Sequence, residues 1–202
     1  MIAIIDYGVG NLRSVEKALQ FIGMNAETTS DVSTIRRADA VVLPGVGAYS
    51  AAMQSLEKYG MVDIVKETVN QNKPFLGICL GMQLLFDYSE EGGEHVKGLG
   101  LLGGAIKELP GNLGLKVPHM GWNSLKVHDS PLFNGLPETP YVYFVHSFYL
   151  KAQDRSLVAA TCDYGVSIDA AVGKGRVFAT QFHPEKSGET GLMILKNWVA
   201  FI

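Results

Sequence analysis

From Pro74 to Phe86 the chain carries no charge, and Gly77-Ile-Cys79-Leu-Gly81 interrupts what is otherwise an apolar run. The run falls short of the ~20 residues that cross a bilayer as a helix, so it belongs inside a folded core. Phe75–Ile78 has the composition of a buried strand, and Leu80–Phe86 is expected to be helical. A strand that enters a helix through two glycines must turn sharply, and the residue at the bend is Cys79. The pattern is the cysteine counterpart of the G-x-S-x-G elbow, in which a strained turn exposes a nucleophile.

The rest of the chain supplies a sheet to hold such an elbow. Short β-branched or apolar runs alternate with helical patterns, which predicts an α/β fold with a mostly parallel sheet flanked by helices. Ile2–Ile5 is the first strand. Asn11 is expected to cap a helix marked by Leu12, Val15, Leu19 and Ile22, with Gly23 ending it. Ala40–Leu43 is a buried-type strand stopped by Pro44-Gly-Val-Gly47. Helical stretches follow near Tyr49–Lys58 and Met61–Gln71. Beyond residue 100, strands are predicted near Ala105–Leu109, Asn123–Val127, Val142–Leu150, Leu157–Cys162, Ser167–Val172 and Arg176–Gln181. Gly173-Lys174-Gly175 is a predicted hairpin turn between the last two. They are expected to extend the sheet with antiparallel strands, before a final helix over about Thr190–Phe201. With 47% hydrophobic residues and no linker or repeat, residues 1–202 read as one domain.

Bulk charge narrows the functional classes. A formal net charge of −3 gives no basic footprint for nucleic acid. Met-Ile-Ala-Ile-Ile-Asp at the start reads as a strand rather than a secretory signal. Two cysteines, Cys79 and Cys162, form no CxxC pair; a reducing, cytoplasmic setting is the simplest reading. No pattern asks for a metal or cofactor.

A cysteine nucleophile needs a base, and five histidines compete for the role. His95 lies in a Gly-rich loop and His128 beside Asp129 in a surface-type turn, while His119 and His146 have strand-like, core-type surroundings. His183 ends a strand in Gln181-Phe-His-Pro-Glu185, the place where open α/β sheets put catalytic groups. Glu185, two residues on, is suited to orient the imidazole and stabilise its protonated form. Backbone N–H groups of Val46, Gly47 and Leu80 are candidate donors to a developing oxyanion. Cys162, in Leu157-Val-Ala-Ala-Thr-Cys162, is expected to be structural.

Pro44-Gly-Val-Gly47, Gly77-Ile-Cys-Leu-Gly-Met-Gln83 and Gln181-Phe-His-Pro-Glu185 together resemble the triad-type (class I) glutamine amidotransferases, over essentially the whole chain. Ile5-Asp-Tyr-Gly-Val-Gly-Asn-Leu12, Pro118-His-Met-Gly-Trp-Asn123 and Tyr143-Phe-Val-His-Ser-Phe148 resemble the branch that serves a histidine-biosynthetic cyclase. The resemblance implies glutamine hydrolysis by Cys79, His183 and Glu185 through a glutamyl thioester. It implies glutamine contacts from Gln83 and from the backbone of Ser147 and Phe148. It also implies a heterodimer with a (β/α)8-barrel cyclase that receives the ammonia, with Asn11, Trp122, Asn123, Tyr143 and Lys186 at the contact. Neither nucleic acid nor a membrane is an expected partner. Two other readings keep part of the pattern. A free-standing cysteine hydrolase would keep Cys79 and His183 without a partner. A dinucleotide-binding module would use Gly8-Val-Gly10, although Arg13 replaces the third glycine of that fingerprint.

Overall fold

The computed structural model describes residues 1–93, 95–112 and 114–202. The first half runs β1 (Ile2–Ile5), α1 (Leu12–Phe21), β2 (Ala26–Thr29), α2 (Val32–Arg37), β3 (Ala40–Gly45), α3 (Tyr49–Lys58), α4 (Met61–Asn70), β4 (Phe75–Cys79) and α5 (Leu80–Gln83). The second half is strand-rich: β5 (Tyr88–Ser89), β6 (Val96–Lys97), β7 (Gly104–Glu108), β8 (His119–Ser124), β9 (Lys126–Val127), β10 (Tyr141–His146) and β11 (Phe148–Ala152). It continues with β12 (Val158–Asp163), β13 (Ser167–Lys174), β14 (Val177–Thr180) and the closing helix α6 (Gly188–Val199).

Eight strands form the main sheet in the order β2-β1-β3-β4-β14-β13-β12-β9. The pairings from β2 through β14 are parallel, and β13, β12 and β9 continue antiparallel. Every residue of β1, β3, β4 and β14 is buried, as strands covered on both faces must be. Tyr49, Leu56, Ile64 and Val65 of α3 and α4 build the core on one face. Val15 and Leu19 of α1, with Leu195 and Trp198 of α6, build the other. Strands β8 and β10 form a separate two-stranded ribbon, and β11-β7-β5-β6 a four-stranded sheet; sequence patterning had merged these with the main sheet. Among the described residues no helix is long and apolar enough to cross a membrane.

Several local expectations are corrected. Asn11 does precede α1, but its side chain makes no capping hydrogen bond. Helix α5 stops after Gln83 instead of reaching Phe86: the N–H groups of Leu85 and Phe86 turn to Met82 O and Gln83 O, three residues back, and the carbonyls beyond are taken by another segment. Leu84 O accepts from Leu99 N–H at 2.9 Å, Phe86 O from Gly100 N–H at 3.1 Å, and Leu85 O from both Leu101 and Leu102 N–H. The predicted strand Val142–Leu150 divides at Ser147, where the chain leaves the ribbon for the four-stranded sheet. The strand predicted at Asn123–Val127 starts earlier, at His119, and breaks at Leu125. The last hairpin turns through Gly175-Arg176, since Lys174 still pairs with Val177. Gly173 serves packing instead: a Cβ there would lie 2.8 Å from the Phe178 ring.

The elbow is compressed against β3. A Cβ on Gly81 would stand 1.8 Å from Leu43 O, and one on Gly45 2.7 Å from Tyr7 Oη and 2.9 Å from Gly81 N. Backbone atoms give way far less readily than side-chain ends, so these glycines set how closely the turn approaches its neighbour strand. Gly81→Ala is expected to cost about 3 kcal/mol or more, seen as a lower urea midpoint at unchanged slope.

Candidate active site

The carboxyl ends of three adjacent parallel strands meet at one place. Register pairs Gly45 of β3 with Cys79 of β4, and Thr180 of β14 with Ile78. This brings Pro44-Gly-Val-Gly47, Cys79 and the segment after β14 to the same sheet edge, where α/β folds place their ligands. Cys79 holds φ +56°, ψ −112°, a left-handed setting that a non-glycine residue adopts only when its surroundings impose it. Tyr7 fixes the floor of the turn by donating from Oη to Pro44 O at 2.9 Å. Beyond Gly45 the packing relaxes: a Cβ on Gly47, φ +91°, would meet nothing within 4 Å.

His183 Nδ1 and Glu185 Oε1 are 2.8 Å apart, and both side chains are buried. A carboxylate only accepts at neutral pH, so Nδ1 carries the proton and Nε2 is the ring's open nitrogen. Nε2 is buried with no hydrogen-bond partner. Burial alone would lower the imidazole pKa; interaction with Cys79 and with the Glu185 carboxylate outweighs it and pushes His183 up to about 9. The histidine is held from both sides: its N–H donates to Tyr143 O at 3.0 Å, and Ser187 Oγ donates to His183 O at 2.6 Å.

A cavity of about 410 Å³ opens onto Cys79 and His183, and Val46, Gly47, Leu80, Gln83, Ser147 and Phe148 also line it. All the residues expected to serve the oxyanion and the substrate's amino-acid end thus share one space. Gln83 is buried and donates from Nε2 to Phe148 O at 3.0 Å and to Gln181 Oε1 at 2.9 Å. Sequence reasoning missed Glu91, which also lines the cavity and accepts from Tyr49 N–H at 2.8 Å through Oε2. No local signal marked it, because it sits in a Gly-rich loop that only the fold carries to the site. Gln181 is legible in sequence only as the strand end that opens the Gln181–Glu185 motif, and Ser187 carries no sequence signal at all.

The sequence profile of "Glutamine amidotransferase class-I" matches residues 3–200. The chain belongs to the class-I glutamine amidotransferase family. It is 52% identical over 199 residues to "Imidazole glycerol phosphate synthase subunit HisH" of Caldanaerobacter subterraneus subsp. tengcongensis, covering 98% of this chain and 97% of that protein. It is 53% identical over 199 residues to a protein of the same name from Bacillus cereus, covering 98% and 93%. A solved "glutamine amidotransferase" crystal structure shares the fold at 21% identity, with a TM-score of 0.75 over 98% of this chain and 100% of that one.

This amidotransferase carries two further buried histidines at the site, His146 on the cavity wall and His119 beyond it, in the opposite state from His183. His146 Nδ1 lies 2.9 Å from Phe148 O, which only accepts, so Nδ1 donates and Nε2 accepts. His119 Nδ1 then donates to that Nε2 at 2.9 Å, and Asn123 Nδ2 donates to His119 Nε2 at 3.3 Å. Burial holds His119 down at about 4, and burial followed by the neighbouring His119 holds His146 down at about 3. Asn123 also donates to Asp163 O at 3.0 Å. Both Nδ2 protons of Asn123 thus have partners within the chain, and the residue itself is half-buried beside Trp122. Trp122 is 56% exposed, stands edge-on to Tyr143 at 6.2 Å between ring centroids, and Lys186 Nζ lies 6.0 Å from the Tyr143 ring. These three form one surface patch. Helix α1, which Asn11 precedes, packs beside the Pro184–Lys186 turn. Cys162 is buried, and burial pushes its thiol up to about 12.

Two pH effects are expected for this amidotransferase. With His183 near 9, kcat/KM should fall on the alkaline side as pH passes that value. Glu185→Gln should move this limb toward neutral pH, because one of the two stabilising neighbours of the imidazolium is gone. His119 and His146 bind fewer protons folded than unfolded between their depressed values and ~6.5, so their contribution to stability is complete above ~6.5 and is lost as pH falls through about 4 and 3. Urea unfolding should show this fall, on the order of a few kcal/mol, and His146→Gln should flatten it.

Proposed function

We propose that this chain is the glutaminase subunit of an imidazole glycerol phosphate synthase and that Cys79 is its covalent nucleophile. The observation that carries the reading is a cysteine forced to φ +56° in one cavity with a histidine whose far nitrogen is tied to a carboxylate. The Cys79 thiolate attacks the side-chain carboxamide carbon of glutamine, and the backbone N–H groups of Val46 or Gly47 and of Leu80 receive the resulting oxyanion. Collapse of the tetrahedral intermediate breaks the C–N bond as the His183 imidazolium gives its proton to the departing nitrogen, releasing ammonia. His183, now neutral, takes a proton from water, which attacks the thioester and frees glutamate and the Cys79 thiolate. Glu185 orients the ring and stabilises its charged state throughout.

At the other end of the substrate, Gln83 and the backbone of Ser147 and Phe148 hold the amino-acid group. The Glu91 carboxylate has the charge that an α-ammonium requires. Ammonia passes to a (β/α)8-barrel cyclase that forms imidazole glycerol phosphate and the aminoimidazole carboxamide ribotide in cytoplasmic histidine biosynthesis. Trp122, Tyr143 and Lys186 are the contact face, with Asn11 beside it. An exposed tryptophan next to a tyrosine is the kind of anchor that dominates such interfaces. Asn123 supports that face from behind.

The test is glutamate release from glutamine by this chain alone and then with the cyclase and its nucleotide ligand, with Cys79→Ala as blank. Release that is abolished in the blank and strongly stimulated by the partner is expected. Equal, substantial release without the cyclase would keep the cysteine chemistry and overturn the subunit assignment.

A further inference from the structure

We propose that Gln181 is the donor that holds and stabilises the Cys79 thiolate, at the end of a one-way chain of amides anchored on the Phe148 carbonyl. The direction of the chain follows from its anchor. Phe148 O has lone pairs and no proton, so the Gln83 amide must face it with Nε2. The second N–H of that group goes to Gln181 Oε1 at 2.9 Å. With its oxygen engaged there, Gln181 turns its own Nε2 toward Cys79 Sγ, at 3.7 Å. Neither amide can flip without setting acceptor against acceptor or donor against donor.

Gln181 is fully buried and its backbone N–H is fastened to Ala170 O at 2.8 Å, so the side chain has few other positions to occupy. Another polar neighbour of the sulfur behaves oppositely. Cys79 Sγ lies 3.9 Å from Val145 O, a contact that suits a thiol, which donates, and repels a thiolate, which cannot. As the proton leaves Sγ, the Val145 contact turns unfavourable and the Gln181 N–H strengthens, because hydrogen bonds to a charged acceptor exceed those to a neutral one. A helix terminus adds little here, since α5 is a single turn (Leu80–Gln83). Gln181 and the His183 imidazolium share that work. The same chain spends both N–H groups of Gln83 on the protein, which leaves Gln83 Oε1 as the open acceptor of an amide that lines the cavity.

The inference rests on Cys79 being the reactive thiol, and the experiment separates the two. Iodoacetamide alkylation of the full chain is followed against pH for the parent, Gln181→Met and Gln181→Glu, with Cys79→Ala as blank. Cys162, buried with its thiol near 12, stays silent over the working range. Gln181→Met keeps the bulk of the side chain and removes the donor. Gln181→Glu keeps the acceptor for Gln83 and puts an oxygen toward the sulfur, so it carries the test should the first variant not fold by circular dichroism. The alkylation midpoint is expected to move to higher pH by about one unit in Gln181→Met, the scale of one hydrogen bond to a charged group, and further in Gln181→Glu. Profiles that superimpose on the parent would overturn the role of Gln181 while leaving Cys79 as nucleophile. A parent no faster than the blank would instead remove Cys79 from the chemistry, and this inference with it.

Discussion

The close approach of the Gly81 backbone to Leu43 O, tighter than any side chain allows, is the constraint on which the site depends. It forces the chain leaving β4 to turn on the spot, and the turn in turn forces Cys79 into a left-handed conformation. Because β3 and β14 flank β4 in register, the same packing that strains the cysteine also sets its distance from the Pro44–Gly47 segment and from His183. Strain of this kind costs of the order of 1–3 kcal/mol and persists only where the surrounding structure over-determines it. Here the surrounding structure is a sheet core buried on both faces.

Three buried histidines lie within this framework, and their neighbours decide their charge. Burial opposes the imidazolium in every case. His183 faces Cys79 and Glu185, and negative partners reverse the sign of the outcome. His119 and His146 face each other, a backbone carbonyl and an amide, so burial prevails and both stay neutral. The neutral pair forms a rigid, one-directional line from Asn123 beside the Trp122 patch to Phe148 O. The Gln83–Gln181 line ends on the same carbonyl. Phe148 O thus joins the Trp122 patch to the sulfur through hydrogen bonds whose direction is set at one atom.

Residues next to one another in the chain were the legible part of the site. The glycine-flanked Cys79, the His183-Pro-Glu185 step and the Pro44–Gly47 turn each carry their chemistry within a few positions, and the fold brings them together at one sheet edge. Glu91 escaped because nothing in its Gly-rich loop distinguishes it from a solvated acid. Gln181 escaped because a glutamine at a strand end is unremarkable until Gln83 and Cys79 are seen on either side of it. Helix α5 is shorter than its apolar spacing suggests, since spacing cannot reveal that Leu85 and Phe86 N–H turn to carbonyls three residues back, where the 98–102 segment docks on the chain. Family membership, seen across residues 3–200, agrees with the motif reading because those motifs are themselves local.

By itself the sequence determined the α/β class, the strands buried on both faces and the identity of the elbow, because hydrophobic period and glycine placement are local properties of the chain. Only the tertiary structure decided the separate β8–β10 ribbon, the opposite charge states of the buried histidines and the direction of the amide chain onto Cys79. Each of those depends on which donors and acceptors distant segments bring within about 3–4 Å of one another, the range over which hydrogen bonds and low-dielectric electrostatics act. Composition and periodicity carry no record of that arrangement.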